Sequence, residues 1–226
     1  MFDIETHHKP GLEHHVHQGM AWLSMSEEGE CTAALSYAAL ELRFAVERLA
    51  VQYWAILLDR EPNEEDLKDI RSFKNVEGRI YALAGHQRAI DGHFDFIRIV
   101  VDALKVDLPL RTPKIGTLSK YWHTCSDLCH IAAPLSSSVP EIRKAWFASL
   151  TEIAESLLDQ VRSLGWPVLR EAGFAALRTE FVAGHATAED VRLHLQRIGV
   201  WARVEFQDGR QPCFVGQAIP PIGSGS

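Results

Sequence analysis

The chain has no long uncharged apolar run, little cysteine and no excess of positive charge, and each shortage removes a class of protein. No stretch of the 226 residues approaches the roughly 20 apolar residues a helix needs to cross a bilayer, so no membrane association is expected. The N-terminus, MFDIETHHKPGLEHHVHQG, lacks the apolar centre of a signal peptide. Cys31, Cys125, Cys129 and Cys213 are too few and too scattered for a secreted disulfide framework, and the chain reads as reduced and cytoplasmic. A formal net charge of −7 opposes non-specific adhesion to nucleic acid or anionic membrane. No Ser-His-Asp order, Walker-type loop or dinucleotide fingerprint is present. The segment GHQRAIDG has two glycines but lacks the lysine and the preceding strand of a phosphate loop, and no cofactor is expected.

What is present is helical texture. Hydrophobic residues make up 46% and charged residues 23% of the chain, ordinary values for a folded protein. After a polar arm over residues 1–11, Val16, Met20 and Leu23 are spaced for one face of a short helix from Leu12 to about Met25. Residues 32–58 contain neither glycine nor proline and are apolar around most of the circumference, which predicts the central helix of a bundle. Asn63 and Asp66 are placed to open an acidic helix running to about Ala84, with Gly85 a possible break. FDFIRIVVDAL continues the helical pattern to Lys105, and LPLRTPKIGT reads as a loop. Helices follow over 118–133, 141–163 and 167–182, the last ending at Gly184; Thr187 and Asp190 cap a further short helix closed by Gly199. Asp208-Gly209 between VWARVEF and PCFVGQAI signals a β-hairpin. The fold class is therefore mainly α: an arm and short helix over 1–29, a helical bundle over 30–165, a C-terminal helix-plus-hairpin unit over 166–219, and a flexible tail or cloning scar over 220–226.

Chemistry is concentrated on the helix 118–133. At about 100° per residue, Leu118, Tyr121, Trp122, Cys125, Leu128, Cys129 and Ala132 gather on a packing face. Ser119, His123, Ser126 and His130 form the opposite stripe beside Asp127. Two imidazoles, two hydroxyls and a carboxylate could act as acid–base groups or bind an anion, or simply form a solvated face. No metal site is expected. The cysteines and histidines of this helix point apart, and the N-terminal cluster His7, His8, His14, His15 and His17 has no closed-site spacing. On the central helix, Arg43 and Glu47 lie one turn apart, while Glu41 and Arg48 share another face with Gln52. Charges on so apolar a helix must pair or line a polar groove. The aromatics Tyr53, Trp54, Tyr121 and Trp122 could supply a dimer interface or fill the monomer core.

Three segments, ALELRFAVERL in the long early helix, the capped acidic helix NEEDLKDI and LSKYWHTCSDLCH, resemble the HEPN superfamily of helical domains over about residues 30–163. The resemblance implies a bundle that forms homodimers in prokaryotic defence or toxin–antitoxin systems. Active members are metal-independent ribonucleases using an Arg-polar-x3–5-His motif; inactive ones bind RNA, nucleotides or proteins. On matching positions His130 is the family histidine. The arginine five to seven residues before it is absent, since Cys125, Thr124 and His123 stand there. Arg88 and His93 fit the spacing, as do Arg79/His86 and Arg178/His185, but Ala89 replaces the polar neighbour of Arg88. The expectation is a catalytically degenerate interaction module for a protein or RNA partner, with Arg43, Glu47, His123, Ser126 and His130 as its working surface. An active ribonuclease is the alternative. A third reading, a DNA-binding regulator, starts from TAEDVRLHLQRI and the hairpin as a winged-helix outline. Residues 160–226 hold seven basic and six acidic residues, too even a balance for a groove binder, and duplex DNA is not expected as a partner.

Overall fold

In the computed structural model, the structure describes residues 11–57, 64–65, 78, 85–105, 110–129, 139–162, 172–198, 202–204 and 213–215. These are mainly helical. Helix α1 spans Leu12–Met25 and a 3₁₀ turn covers Glu27–Gly29. Helix α2 is Thr32–Leu57, α3 Gln87–Ala103, α4 Ile115–Cys129, α5 Pro140–Arg162, α6 Ala172–Ala183 and α7 Ala188–Ile198.

Helix α1 buries Leu12, Val16, Gly19 and Leu23, the i, i+4, i+7 spacing of one face. Gly19 is what lets it close on α2, because a Cβ there would stand 2.8 Å from Leu42 Cδ2. The turn into α2 is tight. The Ser26 hydroxyl donates to the Leu23 carbonyl at 2.7 Å, and the Ser26 carbonyl accepts from the amides of Gly29 and Cys31 at 3.0 and 2.9 Å. Glu27, Glu28 and Gly29 all have positive φ, 50°, 55° and 101°. Only glycine fits at the third position, where a Cβ would meet the Arg143 carbonyl oxygen of α5 at 2.8 Å. An Arg143–Glu30 ion pair at 2.9 Å closes the same junction.

The central position expected of α2 is observed. Leu35, Ala38, Ala39, Leu42, Ala45, Val46, Leu49, Ala50 and Tyr53 are buried, and the helix packs against α1, α4 and α5. With these come Leu118, Cys125 and Leu128 of α4 and Leu150, Ile153 and Leu157 of α5, in one core. Tyr53 and Trp122 belong to this core and Trp54 and Tyr121 pack on its edge, so all four aromatics contribute to the core of the single chain. Tyr53 also donates its hydroxyl proton to Gln160 Oε1 of α5 at 3.2 Å.

A second core lies beside the first, and the half-buried Leu110 packs against both. Phe96, Ile97, Val100 and Leu104 of α3 bury against Phe174 of α6 and Val191 and Leu195 of α7. Helix α3 serves both, since Ile90 and Phe94 sit in the first core. It begins well before the apolar run FDFIRIVVDAL, so most of GHQRAIDG is helix. Gly92 within it faces Val182 of α6, whose Cγ2 would lie 3.2 Å from an added Cβ. The Gln87 side chain fastens α3 to the start of α4. Its Oε1 accepts from the Ile115 amide at 2.9 Å, and its Nε2 donates to the Pro113 carbonyl at 2.9 Å and to Asp91 at 2.8 Å. Arg98 donates to Thr112 in the same loop.

The expected end of α6 and start of α7 are observed, while Gly199, expected to close α7, lies outside the described residues. Gly184 takes φ +81°, and the His185 amide reaches back to the Glu180 carbonyl at 2.8 Å, closing α6 in a left-handed turn. Thr187 and Asp190 bond reciprocally, Thr187 N–H to Asp190 Oδ2 at 2.8 Å and Asp190 N–H to Thr187 Oγ1 at 3.2 Å. Ala202–Val204 and Cys213–Val215 pair antiparallel with Arg203 opposite Phe214. Asp208-Gly209, the turn of the expected hairpin, lies outside the described residues. Of the acidic helix expected over 63–84, Glu64, Glu65 and Gly78 are described and helical; the rest lies outside.

Candidate functional site

The seam between α2 and α4 holds a charged cluster in an otherwise apolar bundle. Glu47 Oε1 accepts two hydrogen bonds, from Arg43 Nε at 2.9 Å and from Trp122 Nε1 at 3.0 Å. The Arg43 guanidinium carbon stands 5.1 Å from the Trp122 ring centroid, so the indole meets the cation with its π-system while its N–H meets the anion. The Arg43 and Glu47 side chains keep only 17% and 13% exposure. Both charges are thus compensated inside the fold, the arrangement that makes such burial tolerable.

Cys125 and Cys129 lie beside this cluster. Burial pushes the Cys125 thiol well above its usual range, Cys129 adds to the shift and the Arg43 charge opposes it. For Cys129, burial is again the main cause, opposed by Arg43 and aided by Glu47, and the thiol is pushed up to about 11. At neutral pH both stay protonated, acting as small apolar side chains rather than as nucleophiles.

The other expected site residues are scattered. His123 is half-buried, with its ring 5.2 Å from that of Trp122. Ser126 does not join an exposed stripe: it is buried, and its hydroxyl makes no hydrogen bond among the described residues. The wheel had placed it opposite the packing face, but α4 is covered by more than one neighbour and its buried arc is wide enough to include Ser126. Asp127 remains exposed. His130 lies outside the described residues. Arg88 is exposed and His93 buried. Five residues of helix separate them by about 140°, so α3 sends this Arg/His pair to different faces and does not bring the two together.

Two positioning side chains escaped the sequence reading. His15 Nδ1 lies 2.7 Å from Glu41 Oε2 between α1 and α2, with the Phe44 ring 5.5 Å away. Its signal was its register with Leu12 and Gly19, which sets it on the buried face instead of in a loose histidine cluster; Glu41 turns to it. Gln87 was the other, hidden in a segment weighed only as a phosphate loop. Among the described residues no three His, Cys, Asp or Glu side chains gather to hold a metal ion, and no helix is long and apolar enough to cross a membrane.

The fold and site define a mainly helical protein with a compensated ion pair in its bundle. No protein-family model matches the chain, and neither a curated protein nor a solved structure matches it significantly.

Proposed function

We propose that the chain is a HEPN-like, catalytically degenerate interaction module whose partner is a protein of a bacterial defence or toxin–antitoxin assembly. The observation that carries this reading is the Arg43–Glu47–Trp122 cluster. It fixes charged groups at a helix seam where the neighbouring Cys125 and Cys129 thiols stay protonated, a geometry suited to recognition more than to turnover. The separation of Arg88 from His93 on α3 supports degeneracy, because general-base attack by a ribose hydroxyl needs an imidazole and a cation within reach of one phosphate. The net charge of −7 favours a protein partner over RNA. The reading includes a homodimer, a cytoplasmic setting, and a hairpin closing the C-terminal strands through Asp208-Gly209 as a docking element.

The test pairs an RNA-cleavage assay with co-expression beside the product of the neighbouring open reading frame. Wild-type protein is expected to leave fluorescent RNA oligomers intact and to co-purify with that product. Arg43→Ala should weaken the complex while helical circular dichroism is kept. RNA cleavage lost in His130→Ala or Arg88→Ala overturns the reading in favour of an active ribonuclease, and salt-sensitive RNA binding without cleavage overturns the choice of a protein partner. Sedimentation that finds only monomer at micromolar concentration removes the homodimer.

A further inference from the structure

We infer that α6 and α7 form a clasp that opens from α3 as one unit while the bundle of α1, α2, α4 and α5 stays folded. Among the described residues the two cores share no buried side chain, and the half-buried Leu110 packs against both. Helix α3 is divided between them along its length: Ile90 and Phe94, near its start, enter the bundle core, while Phe96, Ile97, Val100 and Leu104 belong to the clasp. Of its anchors to the loop and start of α4, that from Gln87 to Pro113 and Ile115 is at the bundle end and that from Arg98 to Thr112 is beside the clasp row, and neither involves α6 or α7. Removing α6 and α7 therefore leaves α3 fastened.

The clasp has a small grip, and its two helices meet mainly through α3. Among the described residues Phe174, Val191 and Leu195 are its buried apolar side chains, with Leu177 and Phe181 packed against them, fewer than line the bundle core, and cooperative units with few buried contacts open at lower free energy than the whole molecule. Within the pair, the Gly184 turn closes α6 through the His185 amide, and the Thr187–Asp190 bonds start α7. Ion pairs Glu180–His185 and Glu189–Arg192 also stay inside it. These bonds keep each helix formed once it leaves α3, and the short connection from Gly184 to Thr187, the edge-to-face contact of Phe174 with His194 at 5.9 Å and the α3 row that both helices cover couple their departure. Opening bares the row Phe96, Ile97, Val100 and Leu104, which the clasp occupies in the closed form.

Hydrogen exchange read by mass spectrometry on the full chain tests this. In a urea series on wild-type protein, amides of residues 174–183 and 190–197 should lose protection at lower urea than those of residues 34–53. Loss at the same urea overturns the proposal. In Leu195→Ala, exchange in the clasp should speed at least ten-fold, and by at least five times the factor seen in α2. A smaller ratio, including unfolding of the whole chain, overturns it.

Discussion

Glu47 receives an arginine and an indole on one carboxylate oxygen, and removing it takes that acceptor from both donors. Glu47→Ala leaves the mostly buried Arg43 charge without this acceptor, and urea unfolding should report a loss of about 1.5–3 kcal/mol. Arg43→Met with Glu47→Leu should recover most of that loss, since a matched apolar replacement leaves no charge uncompensated; equal loss in the single and double variants would contradict this account. At the turn before α2, Glu28 holds φ +55° on the surface, a conformation that costs an L-residue about 1 kcal/mol. Glu28→Gly should therefore raise the thermal midpoint or leave it level, whereas Gly29→Ala should lower it, because a Cβ meets the α5 backbone. For the thiols, the sign is simple: only thiolate reacts, and with Cys129 at about 11 about one part in a thousand is thiolate at pH 8. Alkylation followed by peptide mapping should find exposed Cys31 modified quickly, half-buried Cys129 far more slowly, and buried Cys125 slowest of all until the chain unfolds.

Helix ends carry the next set of consequences. The Thr187 hydroxyl and amide bonds hold the Asp190 carboxyl below its usual range. A group depressed on folding adds stability above its unfolded value, near 3.9, and loses it as pH falls through the folded value. Protection of the first turn of α7 should accordingly fall on acidification below about pH 4, and Thr187→Ala should blunt that fall; unchanged acid sensitivity in the variant would count against the cap. This element was legible because Thr and Asp three residues apart in sequence meet through purely local geometry. So were α1 and α2, whose periodicity states which face is buried. Ser126 and His15 were not, because their burial is decided by a neighbouring helix whose register a single-helix wheel does not contain. Gln87 was hidden for a related reason: its partners, Pro113 and Ile115, lie 26 and 28 residues away.

At the scale of the molecule, the acidic balance governs encounters. A mobility-shift titration with duplex DNA at physiological salt should give no salt-sensitive complex, since no clear surplus of basic residues exists to displace counterions from phosphates; a steep salt dependence would revive the winged-helix reading of the C-terminal unit. The two cores also differ in how their parts are strung along the chain. Helices α1 and α2 meet across a turn of a few residues, so their packing is available early. The row Phe96, Ile97, Val100 and Leu104 is completed by Phe174, Val191 and Leu195, between about 70 and 100 residues later. A ribosome adding 5–20 residues per second takes roughly 4–20 s to supply them. During that interval the nascent chain carries an anchored helix whose apolar row has no partner yet from α6 or α7, and the growing protein must be shielded there from its neighbours until its own C-terminus arrives.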